Sequence, residues 1–183
     1  KLQAVLDEAV RERRAEQPRG TTRTGPTTED GDDTRIFYIL DDSPLFMDMV
    51  DYPPIWPYVT GFLNEHPHHH ASDAIVEIGP SDRKMAWHMD GHDNGYRNLG
   101  NPIPLLQLKI GYYLSDMSVP GQGNLCVVPG SHKARSAPPE EHLDAGGMLP
   151  GAIEICAPPG TAILFHNALW HSAGPRRLDR GRR

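Results

Sequence analysis

Apolar residues in the first third of the chain follow helical spacing. Within residues 2–16 they recur every three or four positions with charged residues between them, which predicts an amphipathic helix. Ser43 followed by Pro44 is typical of a helix start, an N-cap with proline at the first helical position, and predicts a helix over 45–50. A further helix is predicted over 55–64.

From residue 74 onward the pattern changes to short apolar runs, separated by Gly, Pro, Asp and Asn, which predict strands. A similar run lies at 35–40, and the later ones lie at 74–78, 84–89, 105–114, 125–128, 153–155 and 162–165. Many short strands broken by turns favour a mainly β fold, a sandwich or a jelly roll with flanking α-helices. Residues 17–34 are rich in Thr, Gly, Pro and Asp without periodicity and are predicted to be a mobile loop.

Length and charge restrict the class of protein. A chain of 183 residues fits one domain, so residues 1–183 are expected to form a single unit. With 18 Lys and Arg against 24 Asp and Glu, the net charge of −6 argues against a nucleic acid partner. No apolar run approaches the roughly 18 residues of a membrane helix, and the first residues do not look like a signal peptide. We therefore expect no membrane partner and a cytoplasmic location.

The cysteines and the ends of the chain give two further expectations. The two cysteines, Cys126 and Cys156, each lie in an apolar stretch and are expected to be reduced and buried. The chain begins at Lys1 without methionine and stops at Arg183 within a basic run, so we expect residues to be missing at both ends. Nothing in the sequence indicates an oligomeric state.

Metal-ligand residues stand out in the second half. His88 and Asp90 lie two positions apart, so on an extended segment their side chains point to the same face. His171 would complete a set of two imidazoles and one carboxylate, which is the ligand set of non-heme Fe(II) oxygenases. Such a set leaves the opposite face of the ion open. Eleven residues after His171, Arg182 offers a planar guanidinium that can pair with a carboxylate through two parallel hydrogen bonds.

Three ordered segments resemble the phytanoyl-CoA dioxygenase family. They are Trp87-His88-Met89-Asp90, then residues 123–133 with the sequence GNLCVVPGSHK, then residues 165–172 with the sequence FHNALWHS. The resemblance covers roughly residues 74–183 and implies a double-stranded β-helix, a jelly roll of the cupin type. It also implies Fe(II), 2-oxoglutarate as cosubstrate, O₂ and a small-molecule substrate, with relatives acting on acyl thioesters, free amino acids and secondary metabolites.

The resemblance assigns roles to individual residues. It places the metal ligands and catalytic centre at His88, Asp90 and His171. It places the arginine that pairs with the far carboxylate of 2-oxoglutarate at Arg182. From the residues alone, four other arginines compete for this role: Arg176, Arg177, Arg180 and Arg183. Many relatives have a serine two residues after the distal histidine, but here that position is Ala173, with Ser172 beside it. Ser172 is therefore a candidate cosubstrate contact. Tyr112 is another, because it occupies a place where relatives have an aromatic residue near the cosubstrate. His92 and Trp170 are candidate substrate contacts. The carboxylate at Asp90 favours hydroxylation or desaturation over halogenation.

Several histidines have alternative interpretations. His92 could replace a ligand, although Gly91 predicts a turn that carries it to the rim. His166 lies five residues before His171, so on a continuous strand the two side chains would face opposite ways. His132 is interpreted as structural, and the His-rich tract at 66–70 as exposed.

Two other classes of function stay open from the residues alone. Two histidines and a carboxylate also suit zinc with one water, as in a cupin-like isomerase or zinc hydrolase. A lectin-like jelly roll without catalytic activity would need no metal.

Overall fold

The computed structural model describes residues 1–16, 34–81, 83–91 and 95–178. These residues form two compact units, one within residues 1–80 and one of residues 81–178. The expectation that residues 1–183 form one domain stays a prediction. Within the described ranges, no helix combines the length and the apolar character needed to cross a bilayer.

In its described residues, the first unit contains three α-helices and a two-stranded sheet. Helix α1 (Leu2–Glu16) confirms the predicted amphipathic helix. Strand β1 (Thr34–Phe37) pairs antiparallel with β2 (Asp73–Val76). The predicted strand at 35–40 is shorter because Tyr38 adopts a left-handed conformation, with φ of 59°, and begins a 3-10 turn at Ile39–Asp42. Thr34 was placed in the predicted loop but is the first residue of β1; residues 17–33 lie outside the described residues.

Two short helices follow in the same unit. Helix α2 (Pro44–Met47) begins as predicted, since the Ser43 hydroxyl accepts a hydrogen bond from the Leu45 amide at 3.3 Å, but it ends three residues before the predicted end at residue 50. Helix α3 (Trp56–Leu63) confirms the helix predicted at 55–64. The buried apolar residues of this unit are Leu6, Ala9, Val10, Ile36, Ile39, Phe46, Val59 and Val76.

The part of the second unit that the structure describes contains five short strands in two antiparallel sheets. One sheet pairs β3 with β6, and the other has the order β5-β4-β7. The strands are β3 (Leu108–Tyr112), β4 (Leu125–Val127), β5 (Ile153–Glu154), β6 (Ala162–His166) and β7 (His171–Ala173). Small antiparallel sheets with few helices confirm the prediction of a β-rich fold.

The segment at 84–89 was predicted to be a strand but has no ladder. Its one pairing is an isolated antiparallel bridge between His88 and His171. Side-chain packing holds this segment instead. Trp87 is buried beside Cys126 and Leu149, and its indole N–H donates to the Gly147 carbonyl at 2.8 Å.

Alternation of side chains along this segment separates the core from the site. Trp87 and Met89 are buried, whereas His88 is exposed and Asp90 is half-buried. Met89 belongs to a second apolar cluster with Ile103 and Ala168. Because successive side chains of an extended chain point to opposite sides, burial of the two apolar residues presents His88 and Asp90 together on the other side.

The two cysteines are free, but their environments differ. Cys126 is completely buried on β4, as expected. Cys156 is exposed, so the prediction that both thiols are buried is wrong for this residue. It lies two residues beyond β5, where the chain has left the sheet and an apolar neighbourhood in the sequence no longer implies burial.

Candidate metal centre

The backbone joins His88 to His171. The His88 amide donates to the His171 carbonyl at 3.0 Å, and the His171 amide donates to the His88 carbonyl at 2.9 Å. The Asp90 amide donates to the Asn167 carbonyl at 2.8 Å. These bonds place two residues that are 83 positions apart in the chain directly opposite each other, with ring centroids separated by 4.2 Å.

Each imidazole is oriented by a carbonyl of its own segment. His88 Nδ1 lies 2.8 Å from the Ala86 carbonyl oxygen, and His171 Nδ1 lies 2.8 Å from the Leu169 carbonyl oxygen. A carbonyl only accepts hydrogen bonds, so each neutral ring carries its proton on Nδ1. The lone pair of each Nε2 is therefore free for a metal ion, the arrangement usual for metal-binding histidines.

The Asp90 carboxylate lies between the two rings. Oδ1 is 3.8 Å from His88 Nε2, and Oδ2 is 3.6 Å from His171 Nε2. Two atoms bound on opposite sides of one ion by bonds of about 2.1 Å lie about 4.2 Å apart, which is the largest separation that a shared ion allows. Both Asp90-to-histidine distances are shorter than this.

The donor set itself fits a divalent cation. One ligand atom from each of His88, Asp90 and His171 lies within 4.8 Å of the other two. Asp90 Oδ2 is buried and accepts no hydrogen bond from any described residue. A buried carboxylate oxygen without a hydrogen-bond donor is costly unless a cation lies beside it. The Lys109 ammonium lies 3.2 Å away without hydrogen-bond geometry, so it meets this need only in part and a bound metal ion would stabilise the oxygen further. No second group of three potential ligands is found in the part of the chain that the structure describes.

The two histidines differ in exposure. The His171 side chain is 9% exposed and packs against the Phe165 ring in a T-shaped arrangement, whereas the His88 side chain is 53% exposed. Burial lowers the pKa of His171, and the neighbouring His88 lowers that pKa further. A lowered pKa keeps the imidazole neutral, as metal ligation requires.

Lys109 is a member of this site that the sequence analysis missed. Its Nζ lies 3.2 Å from Asp90 Oδ2, in an ion pair that lacks hydrogen-bond geometry. The residue lies on β3 opposite Phe165 of β6. A lone lysine within the apolar run at 105–114 was the available signal, because a charge on a half-buried strand generally needs a partner.

Asn167 is a second missed residue and acts as a support. Its side chain is completely buried, and Oδ1 accepts hydrogen bonds from the amides of Leu106 and Gln107 at 3.1 and 3.2 Å. Its own carbonyl holds the Asp90 amide. The turn between β6 and β7 is thereby tied both to the chain before β3 and to the carboxylate ligand.

The predicted cosubstrate contacts occupy separate places. Tyr112 and Lys109 are three residues apart on β3, so strand alternation puts their side chains on opposite faces. Ser172 is 1% exposed and follows His171 on β7, where its hydroxyl donates to the Ala173 carbonyl at 3.0 Å. Arg182 lies outside the described residues. The roles of all three stay predictions.

Of the predicted substrate contacts, one is described. Trp170 is half-buried, and its indole N–H donates to the Ser136 carbonyl at 3.2 Å. Its amide donates to the Ser131 hydroxyl at 2.8 Å, which connects the residue before His171 to the turn after β4. His92 lies outside the described residues.

The remaining histidines lie outside the triad. His166 ends β6 and His171 begins β7, so a turn rather than a continuous strand separates them. The His166 ring lies 5.3 Å from the His132 ring, and its Nδ1 accepts a hydrogen bond from the Ala168 amide at 2.9 Å. The histidines at positions 66, 68, 69 and 70 are exposed.

Comparison with known proteins gives one family. The profile of the phytanoyl-CoA dioxygenase (PhyH) family matches residues 1–183, the whole chain. No curated protein matches the chain. The match extends beyond the region of residues 74–183 in which the sequence motifs were recognised.

Proposed function

The chain belongs to the phytanoyl-CoA dioxygenase family of Fe(II)/2-oxoglutarate oxygenases, and we propose that it hydroxylates, or desaturates, an unactivated C–H bond of a small-molecule metabolite. In this reaction 2-oxoglutarate is decarboxylated to succinate and CO₂ while O₂ is consumed. We further propose that the β-rich fold is the double-stranded β-helix implied by the family.

The observation that carries this proposal is the geometry of His88, Asp90 and His171. Their ligand atoms lie within 4.8 Å of one another, and a buried oxygen of Asp90 accepts no hydrogen bond from the described residues. Two neutral nitrogens and one carboxylate on one side of an ion are the ligand set of non-heme Fe(II) oxygenases, which leaves the other side for cosubstrates.

The residues of the chain have separate roles at this site. Iron(II) bound there would supply the redox chemistry that couples decarboxylation of 2-oxoglutarate to oxidation of the substrate. His88 and His171 present Nε2 lone pairs, and Asp90 contributes a negative charge. Burial of His171 against Phe165 excludes water from one side. The 53% exposure of His88 leaves the other side accessible.

Arg182 completes the proposal as the partner of the far carboxylate of 2-oxoglutarate. Support for this role comes from its position eleven residues after His171 and from the planar geometry of guanidinium. Tyr112 and Ser172 remain candidate cosubstrate contacts, and His92 and Trp170 remain candidate substrate contacts.

The deciding experiment is an anaerobic titration of the purified protein with Fe(II) and 2-oxoglutarate, followed by the visible absorption band of the iron chelate. Wild-type protein is expected to give the band with one iron per chain. In Asp90→Ala the metal affinity should fall by at least about 100-fold, because loss of a supporting residue alone costs 10–100-fold. Substrate oxidation should be lost with it.

The matched control is Asp51→Ala, which removes an exposed carboxylate of the first unit. This variant should bind iron and 2-oxoglutarate like the wild-type protein. Wild-type turnover by Asp90→Ala would show that the ligand assignment is wrong. Folded wild-type protein that binds Zn²⁺ but gives no chelate band would instead favour a zinc enzyme.

A further inference from the structure

Within the proposed function, on which this inference rests, we propose that Lys109 is a positioning residue for the anionic cosubstrate. Its ammonium group would keep the site positive enough to hold the chelating carboxylate of a 2-oxo acid. The same charge would weaken binding of a bare divalent ion. Lys109 would therefore favour a site in which the ion and the 2-oxo acid are bound together.

The location of Lys109 supports this role. Its Nζ is 3.2 Å from Asp90 Oδ2, closer than His171 Nε2, which lies 3.6 Å from the same oxygen. The lysine side chain is 39% exposed, so its ammonium group is partly accessible to solvent.

The sum of charges gives the reason. A divalent ion and one ligand carboxylate leave one net positive charge, because both histidines must be neutral to bind the ion. The ammonium of Lys109 raises this to two. The chelating carboxylate of a 2-oxo acid brings one negative charge to the ion, so the additional positive charge strengthens its attraction in a partly buried environment, where screening by water is incomplete.

The effect should act on the chelating end of the 2-oxo acid. Lys109 contacts a metal ligand, and the keto and carboxylate oxygens of a 2-oxo acid would bind at the same ion. The far carboxylate of 2-oxoglutarate is assigned to Arg182. A 2-oxo acid that lacks the far carboxylate, such as 2-oxobutyrate, should therefore depend on Lys109 as strongly as 2-oxoglutarate does.

The test compares Lys109→Gln, which removes the charge, with Lys109→Arg, which keeps it. Mn²⁺ binding to the metal-free protein is measured by electron paramagnetic resonance, and 2-oxo acid binding by the anaerobic Fe(II) chelate band. For Lys109→Gln we expect Mn²⁺ to bind several-fold more tightly and both 2-oxo acids to bind roughly tenfold more weakly, which corresponds to about 1.4 kcal/mol. Lys109→Arg should restore most of the 2-oxo acid affinity.

The matched control is Lys84→Gln, the same change at an exposed lysine four residues before His88. It should leave both affinities unchanged. If Lys109→Gln weakens Mn²⁺ and 2-oxo acid binding together, the lysine only supports the fold around Asp90 and the proposal is wrong. Unchanged affinities, or weakening of 2-oxoglutarate without 2-oxobutyrate, would also overturn it. Absence of the chelate band in folded wild-type protein would reject the proposed function instead.

Discussion

Gly174 lies immediately after β7, where two fixed groups leave no room for a side chain. A Cβ at this position would lie 2.7 Å from the Asn124 carbonyl oxygen and 2.9 Å from Cys126 Sγ. The Gly174 amide also donates to the same Asn124 oxygen at 2.8 Å, so the close approach is part of the pairing between strands. Gly174→Ala should therefore force β7 away from β4 or break this hydrogen bond.

The expected loss follows from how little the neighbours can move. Asn124 and Cys126 are both completely buried, and the Asn124 amide group donates to the Met117 carbonyl at 2.8 Å. Overpacking a rigid core costs about 1–3 kcal/mol, and two such contacts place Gly174→Ala near 2 kcal/mol. This value lowers the folding equilibrium constant about 30-fold and the melting temperature by about 4–8 °C for a chain of this size.

Urea unfolding of the metal-free protein, followed by tryptophan fluorescence, measures this change. Trp87 and Trp170 lie in the same unit as Gly174 and report on its unfolding. Gly111→Ala is the matched control, because a Cβ at this β3 position meets no atom within 4 Å. It should be neutral or stabilising by up to about 1 kcal/mol. A Gly174→Ala protein with the urea midpoint and slope of the wild type would refute the reasoning.

Two further predictions concern the turn after Asp90 and the response to pH. Gly91 has φ of +79°, and a Cβ at this position would overlap the Tyr96 ring. Gly91→Ala should therefore lower the free energy of unfolding by about 2–4 kcal/mol. A urea midpoint equal to that of the wild type would contradict this prediction. Burial lowers the pKa values of His166 and His171. The neighbouring His132 lowers the pKa of His166 further, and His88 does the same for His171. The unfolded chain then binds more protons below about pH 6.5, so the metal-free protein should lose stability as pH falls from about 7.5 to about 5.5. In His166→Gln this loss, measured by urea unfolding, should be smaller, and an unchanged loss would show that His166 does not contribute.

The helices could be predicted from the sequence because their signals are local. The spacing of apolar residues in α1 and the Ser43-Pro44 start of α2 each depend on a few neighbouring positions. The segment at 84–89 shows the limit of this approach. A strand needs a neighbouring strand, and the sequence does not show that only His88 would find a pairing partner. Strand β7 was missed for a similar reason, since three residues are too short for a recognisable pattern.

For the candidate site too, residues with local signals could be predicted and residues that depend on the fold could not. His88 and Asp90 could be proposed together because their two-residue spacing already puts both on one side of an extended chain. Lys109 and Asn167 reach the site only through pairing of distant segments, which spacing cannot reveal. The sequence therefore predicts the groups that would bind the ion more completely than the groups that set the charge and position of those ligands.

The hydrogen bonds of the two histidines explain why a short motif is informative here. Each Nδ1 uses the carbonyl two residues earlier in its own segment, Ala86 for His88 and Leu169 for His171. The tautomer that frees Nε2 is thus set by local backbone and needs no third side chain. Only the relative position of the histidines depends on the fold, through their reciprocal amide bonds and the bond from Asp90 to Asn167. Substitutions that disturb these backbone bonds should weaken metal binding even though every ligand is retained.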